Sequence, residues 1–250
     1  MNDTVRLGRI AGIPIGLNWS WIAVFGLFVW SLDERVFPAT NPGLSSAAYA
    51  AMAVVSATLF FLSLLLHELG HALVARREGV EIDGITLWLF GGVARIRGRL
   101  PSAGAELRLA LAGPLVTALL ALLCGGFAEL TRLGGAVDGV AAWLSYINLI
   151  LLGFNLLPAL PLDGGRVLRS VLWHVRGDFA WATVVAAAIG RVIGIAMIAA
   201  GFASVGFSGL FGGIWLALIG WFVFQAAGAE AAAVAAPSGA RRPGVSSGGR

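Results

Sequence analysis

Long apolar runs separated by short polar clusters set the pattern of this chain. Six stand out: Leu17 to Leu32, about Ser46 to Ala75, Glu106 to Leu130, Val140 to Pro161, Trp181 to Ala203 and Phe207 to Ala227. A helix needs about 20 predominantly apolar residues to cross the hydrocarbon of a bilayer. The runs lack both the polar stripe of a surface helix and the alternation of a half-buried strand. They predict an all-α polytopic membrane protein with six transmembrane helices. Trp19, Trp21 and Trp30 bracket the first run as interfacial anchors do.

Two stretches follow another rule. Val5-Arg6-Leu7-Gly8-Arg9-Ile10 alternates and predicts a small strand at the membrane surface. Between the second and third runs, Ile85 to Phe90 is rich in strand formers but too short to span. Gly91-Gly92 breaks it before Val93 to Arg97. A hairpin or re-entrant, strand-bearing insertion is expected there. Irregular backbone at membrane depth needs a cover of protein or a watery cavity, so a partly hydrated site is expected beside it. After Glu230 the chain is Ala, Pro, Gly, Ser and Arg, too poor in large apolar residues to fold. Residues 1–229 are therefore expected to form the membrane-embedded domain and residues 230–250 a flexible cytosolic tail.

Composition excludes the soluble alternative. The chain is 58% hydrophobic and 12% charged with a mean hydropathy of +0.88, where a soluble domain carries about a quarter charged residues. All 17 basic residues are arginine, mostly in short loops between apolar runs. They read as topology signals rather than as a nucleic-acid surface. With six crossings, every arginine except Arg35 and Arg132 falls on the side of the two termini, once Arg108 and Arg191 are assigned to the near ends of their helices. The positive-inside rule makes that side cytoplasmic in a multi-pass protein of the cell membrane. The single cysteine, Cys124, lies in an apolar run and has no partner for an intrachain disulfide.

The candidate chemistry lies in the last third of the second run. In His67-Glu68-Leu69-Gly70-His71 the two histidines are four apart, so a helix stacks them on one face where both imidazoles reach one ion, with Glu68 beside them to handle a water proton. That is the ligand spacing of a zinc hydrolase. Ionisable groups at bilayer depth cost roughly 2.5–3.5 kcal/mol each, which marks them as functional candidates. A catalytic zinc usually takes three protein ligands and leaves a position for water. His174 sits among arginines and reads as a juxtamembrane residue. Asp163 is the better third ligand, because it closes Asn155-Leu156-Leu157-Pro158-Ala159-Leu160-Pro161-Leu162-Asp163-Gly164-Gly165. There two prolines forbid regular helix, and the glycines allow close approach just after the carboxylate. Gly190 and Gly194 form a small-residue pair that serves either packing within the bundle or a homodimer.

His67 to His71 together with Asn155 to Gly165 closely resembles the site-2 protease family of intramembrane zinc metalloproteases. Leu89-Phe90-Gly91-Gly92-Val93-Ala94 and Ala112-Gly113-Pro114 resemble that family's re-entrant loop and third helix. The resemblance spans about Gly8 to Trp221 and is strongest to the six-segment prokaryotic branch, which includes a sporulation protease that processes a sigma-factor precursor. It implies zinc held by His67, His71 and Asp163, Glu68 as general base, and Asn155 in contact with substrate or oxyanion. It implies hydrolysis of peptide bonds in or near transmembrane segments. The implied substrates are anti-sigma factors, membrane-tethered transcription regulators or signal-peptide remnants. Many members of that branch carry cytosolic cystathionine-beta-synthase-type domains, which would follow where this sequence stops. The Gly91-Gly92 stretch is then either a plain cytosolic hairpin or an edge strand that receives unwound substrate. A metal transporter would string ionisable residues through several segments, which are nearly free of them here. A catalytically silent chaperone would tolerate loss of Glu68, which is present.

Overall fold

The computed structural model describes residues 4–88, 91–97, 100–131 and 134–235, of which 4, 91–97 and 206–211 are described by backbone alone. Among these residues five helices are long and apolar enough to cross a membrane: Ser46–Arg77, Ala103–Thr131, Gly135–Asn155, Phe179–Val205 and Gly212–Ala235. The first expected span is different. It is a helix α1 over Ser20–Ser31, which at 1.5 Å per residue is about 18 Å long and short of the roughly 30 Å hydrocarbon core. It runs into a π-helical turn, Leu32–Val36, that contains Asp33-Glu34-Arg35, and then into a short helix α2, Phe37–Thr40. Among the described residues five helices thus reach spanning length by themselves, while the first expected span is helical from Ser20 to Thr40 but changes type at Leu32–Val36.

Helix α3, Ser46–Arg77, begins where the Ser45 hydroxyl accepts the Ala48 amide and ends before Gly79, whose φ of 77° favours glycine. Its 32 residues measure about 48 Å, longer than the hydrocarbon is thick. His67 and His71, near its C-terminal end, therefore lie toward one membrane boundary. An aromatic cluster fastens α1 to the middle of α3: Trp21 meets Phe61 edge-on and Phe28 stacks on Phe60, at 5.0 and 5.2 Å between centroids.

The expected strand and hairpin join in one sheet. Strands β1 (Thr4–Ile10), β2 (Ile13–Asn18), β3 (Glu81–Trp88) and β4 (Gly91–Arg97) lie in that order, antiparallel, parallel and antiparallel. Ile13 and Ile15 of β2 and Ile85 of β3 are buried against Ala72 of α3, with Leu65 and Leu69 beside them. The sheet therefore rests on the histidine-bearing end of α3. A fold with four strands in one sheet is more than the helix bundle with a small insertion that was expected, since Ile13 to Asn18 and the N-terminal strand are part of it. Gly91-Gly92, expected to break the run, instead begins β4, and Leu89 and Phe90, the expected end of the preceding strand, lie outside the described residues.

Helix α4, Ala103–Thr131, is capped by the Ser102 hydroxyl and packs between α3 and the next helix, α5, Gly135–Asn155. The arginine-rich stretch around His174, read from sequence as a polar connection between the fourth and fifth runs, is an amphipathic helix α6, Asp163–Arg176, closed by Gly177 in the left-handed region. Helical backbone then runs from Phe179 to Ala235 as α7, in two arms folded against one another. Gly194 lies against Gly220 and Phe224, Gly201 against Gly213 and Ala217, and Gly190 against Leu160 and Ala227. The Gly190 and Gly194 pair is thus used inside the chain, not as a free dimer face. The helix continues to Ala235, past the expected boundary at residue 229; residues 236–250 lie outside the described residues.

A Cβ at Gly201 would stand 2.6 Å from the Gly213 carbonyl oxygen and 2.7 Å from the Ala217 nitrogen, both backbone atoms that cannot give way. Overpacking of this kind costs about 1–3 kcal/mol. Gly201→Val is expected to lower the unfolding midpoint of the detergent-solubilised protein, and an unchanged midpoint would show that the arms do not pack there.

Candidate metal centre

The site is built from two helices joined by distant parts of the chain. On α3, His67 and His71 are one turn apart, with ring centroids 4.7 Å from each other and nearly perpendicular planes. Asp163 is the first residue of α6, brought to them by the loop after α5. Pro158 and Pro161 keep that loop from continuing as helix. Turns from Ala159 N–H to the Leu157 carbonyl and from Leu162 N–H to the Ala159 carbonyl fold it tightly. At Gly164 a Cβ would collide with the carbonyls of Leu156 and Leu157, and at Gly165 with the backbone of Ala159 and Leu160. The two glycines therefore let α6 start in contact with the loop, as the sequence pattern predicts.

The three functional groups converge. His67 Nε2 is 3.2 Å from Asp163 Oδ2, His71 Nε2 is 3.2 Å from Asp163 Oδ1, and the two Nε2 atoms are 3.1 Å apart. All three residues are buried. Among the described residues they form the one group of three or more His, Cys, Asp or Glu side chains able to share an ion.

The other face of each imidazole is tied to α4. His71 Nδ1 lies 2.7 Å from the Leu109 carbonyl oxygen, which can only accept, so Nδ1 carries the proton and Nε2 keeps its lone pair for a metal. The Thr117 hydroxyl stands 2.8 Å from His67 Nδ1 and can accept in the same way. Such outer partners fix tautomer and ring orientation in metal sites. Helix α4 contributes a third feature, space. A Cβ at Gly113 would collide with His71 Nε2 and stand 2.6 Å from His67 Nε2. Pro114 next to it has no N–H to offer the Ala110 carbonyl.

These residues fit zinc. Donor atoms about 2.0–2.1 Å from a tetrahedral ion stand roughly 3.3 Å from one another, close to the separations found here. Asp163 Oδ2 is buried with no hydrogen-bond partner, although His67 Nε2 is 3.2 Å away. Lone pairs facing one another at that range, with a carboxylate among them, are a cation's donor set and not a hydrogen-bonded cluster.

The remaining predicted residues are placed differently. Glu68 follows His67 on the same turn and is half-buried. Asn155 is the last residue of α5, half-buried at the entrance to the loop that delivers Asp163. Gly91 and Gly92 open β4, an edge strand, opposite Trp88 and Leu87. Neither they nor Asn155 belongs to the ligand group. His174 is exposed on α6, away from it. Thr117 and Leu109 are absent from the sequence-based set, and Gly113 entered it only within the Ala112-Gly113-Pro114 motif, without a role of its own. A lone hydroxyl in the apolar third run marks Thr117, but a backbone carbonyl leaves no trace in sequence.

Peptidase family M50 is matched by its sequence model over residues 55–132 and 128–201. The chain is 44% identical over 233 residues to Rip3 of Mycobacterium tuberculosis, covering 92% of this chain and 59% of that protein. It is 35% identical over 234 residues to the zinc metalloprotease MJ0392 of Methanocaldococcus jannaschii, covering 94% and 62%. The chain thus spans about three-fifths of the length of these relatives. Among solved structures it resembles the site-2 protease from Methanocaldococcus jannaschii, with a TM-score of 0.60 and 32% identity over 91% of this chain and 95% of that one.

Two outcomes follow from the geometry. Gly113→Ala is expected to abolish zinc uptake in folded protein, because the added methyl fills the space between the imidazoles; zinc retention would refute the assignment. Thr117→Val is expected to weaken zinc binding about 10–100-fold, with Thr117→Ser close to wild type, in a competition assay against a chelator. A ligand triad of this kind on helices of bilayer length, matched to that family over more than half of the sequence, leads to one conclusion: the chain belongs to peptidase family M50, the site-2 proteases.

Proposed function

We propose that the chain is an intramembrane zinc metallopeptidase that hydrolyses peptide bonds in or next to transmembrane segments. The observation that carries this reading is the buried meeting of His67, His71 and Asp163 near one end of a helix long and apolar enough to cross a membrane. Bound zinc supplies a Lewis acid and brings the pKa of its water toward about 7. His67, His71 and Asp163 hold that ion. Glu68 takes the proton of the attacking water and returns it to the departing amine as general base and then general acid. Its place on the turn of His67 supports the role.

A helical substrate hides its carbonyls in its own hydrogen bonds, so it must unwind locally before hydrolysis. We assign Asn155 to holding a carbonyl of the unwound peptide, and the free edge of β4 from Gly91-Gly92 to pairing with its backbone. The sheet's seat on the ligand-bearing end of α3 supports this, since it sets the edge strand's sheet against the metal centre. In the membrane, α1, the π-helical turn and α2 make a sixth crossing as one continuous helical run. Both termini are then cytoplasmic, and cleavage occurs near the cytoplasmic leaflet of the cell membrane. Substrates are membrane-tethered regulators such as anti-sigma factors.

Glu68→Gln is expected to abolish cleavage of a co-expressed single-span reporter while zinc content stays at the wild-type level. Residual cleavage near the wild-type rate would remove Glu68 as the base. Gly91→Pro is expected to impair cleavage much more than zinc binding, and equal activity would remove the edge-strand role.

A further inference from the structure

Apart from the ligand group, the described residues bury a second set of charges. Glu106 of α4 is fully buried and Arg169 of α6 nearly so. Arg169 Nε donates to Glu106 Oε1 at 2.8 Å and Nη2 donates to the same oxygen, while Nη1 donates to Glu230 Oε2 at 3.2 Å in the second arm of α7. The guanidinium also lies over the Phe179 ring at the start of α7, 5.0 Å from its centroid. One side chain is thus gripped by α4 and by both arms of α7.

Burying an ion pair is a poor route to stability, because desolvation offsets much of the attraction; its better-attested use is to fix one arrangement out of several. What is fixed here follows from where the two ends sit. Glu106 stands just before Leu109, whose carbonyl holds His71, on the helix that also brings Thr117 to His67. Arg169 stands about two turns beyond Asp163 on the same helix. The pair therefore joins the helix that orients both imidazoles to the helix that carries the carboxylate. Gly164 and Gly165 set how closely α6 approaches its loop. Arg166, within electrostatic reach of Glu106, Asp163 and Glu230, adds a second cation to the same cluster.

We propose that Arg169 is a positioning residue for the metal centre: clamped between Glu106 and Glu230, it fixes the rotation of α6 and so aims Asp163 at His67 and His71. The inference rests on the metal-centre reading above. It makes the second arm of α7 a partner of the site through Glu230, since displacing that arm releases one of the two carboxylates that hold Arg169.

The test uses the full chain purified in detergent, with zinc affinity read by chelator competition, the visible spectrum of the cobalt-loaded protein, and thermal unfolding without metal. Arg169→Met is expected to bind zinc about 10–100-fold more weakly than wild type and to alter the cobalt spectrum, with little change in metal-free unfolding. Arg169→Lys, which keeps the charge but loses the fork, falls between the two. Glu106→Gln combined with Arg169→Met loses no more affinity than Arg169→Met alone, because the pair acts as a unit. Should Arg169→Met fail to fold, Arg169→Lys carries the comparison. Unchanged zinc affinity and an unchanged cobalt spectrum in the folded variants overturn the proposal, as does an affinity loss matched by lost folding of the metal-free protein. A wild-type chain that takes up no zinc overturns the underlying metal-centre reading instead, before any substitution is made.

Discussion

Two imidazoles and a carboxylate from distant parts of the chain face one another at 3.1 to 3.2 Å, and much of the structure serves to keep them there. Lone pairs that converge at that range repel until a cation lies among them, so the fold has to hold them by other contacts. Helix α3 fixes the spacing of the histidines. Helix α6 begins against a proline-bent loop that only glycine lets it approach. Helix α4 lies between the two, leaving room at Gly113 and presenting Leu109 and Thr117 to the outer nitrogens of the rings.

The same arrangement answers the demands of an apolar bundle, where a polar group without a partner is costly. Ring nitrogens find a carbonyl and a hydroxyl, and Arg169 finds Glu106 and Glu230. On the other side of α3, Ile13, Ile15 and Ile85 of the sheet cover Ala72 beside His71. The buried group thus lies where a helix longer than the bilayer is thick meets a sheet.

The meeting of His67, His71 and Asp163 was legible because metal chemistry admits few residue types and a helix imposes their spacing. The long helices were legible because the bilayer imposes a length. The sheet was legible only in pieces: parallel pairing of Ile15 with Ile85 and of Leu17 with Leu87 joins strands far apart in the chain, and no local signal announces it. Helix α6 was hidden by its own start, since Pro158, Pro161, Gly164 and Gly165 read as breakers although the helix begins among them. Its arginines then looked like loop residues, and Glu230 like the start of a tail, until packing brought Arg169 between two carboxylates. In the first apolar run, Asp33-Glu34-Arg35 falls in a π-helical turn, so the run does not end as one long α-helix.

The most direct measurement is zinc K-edge X-ray absorption on the purified zinc-loaded chain. Two imidazoles with oxygen completing the shell, at about 2.0–2.1 Å, is the predicted result. A third imidazole, which would have to come from His174, or a sulfur donor from the free Cys124, would contradict it.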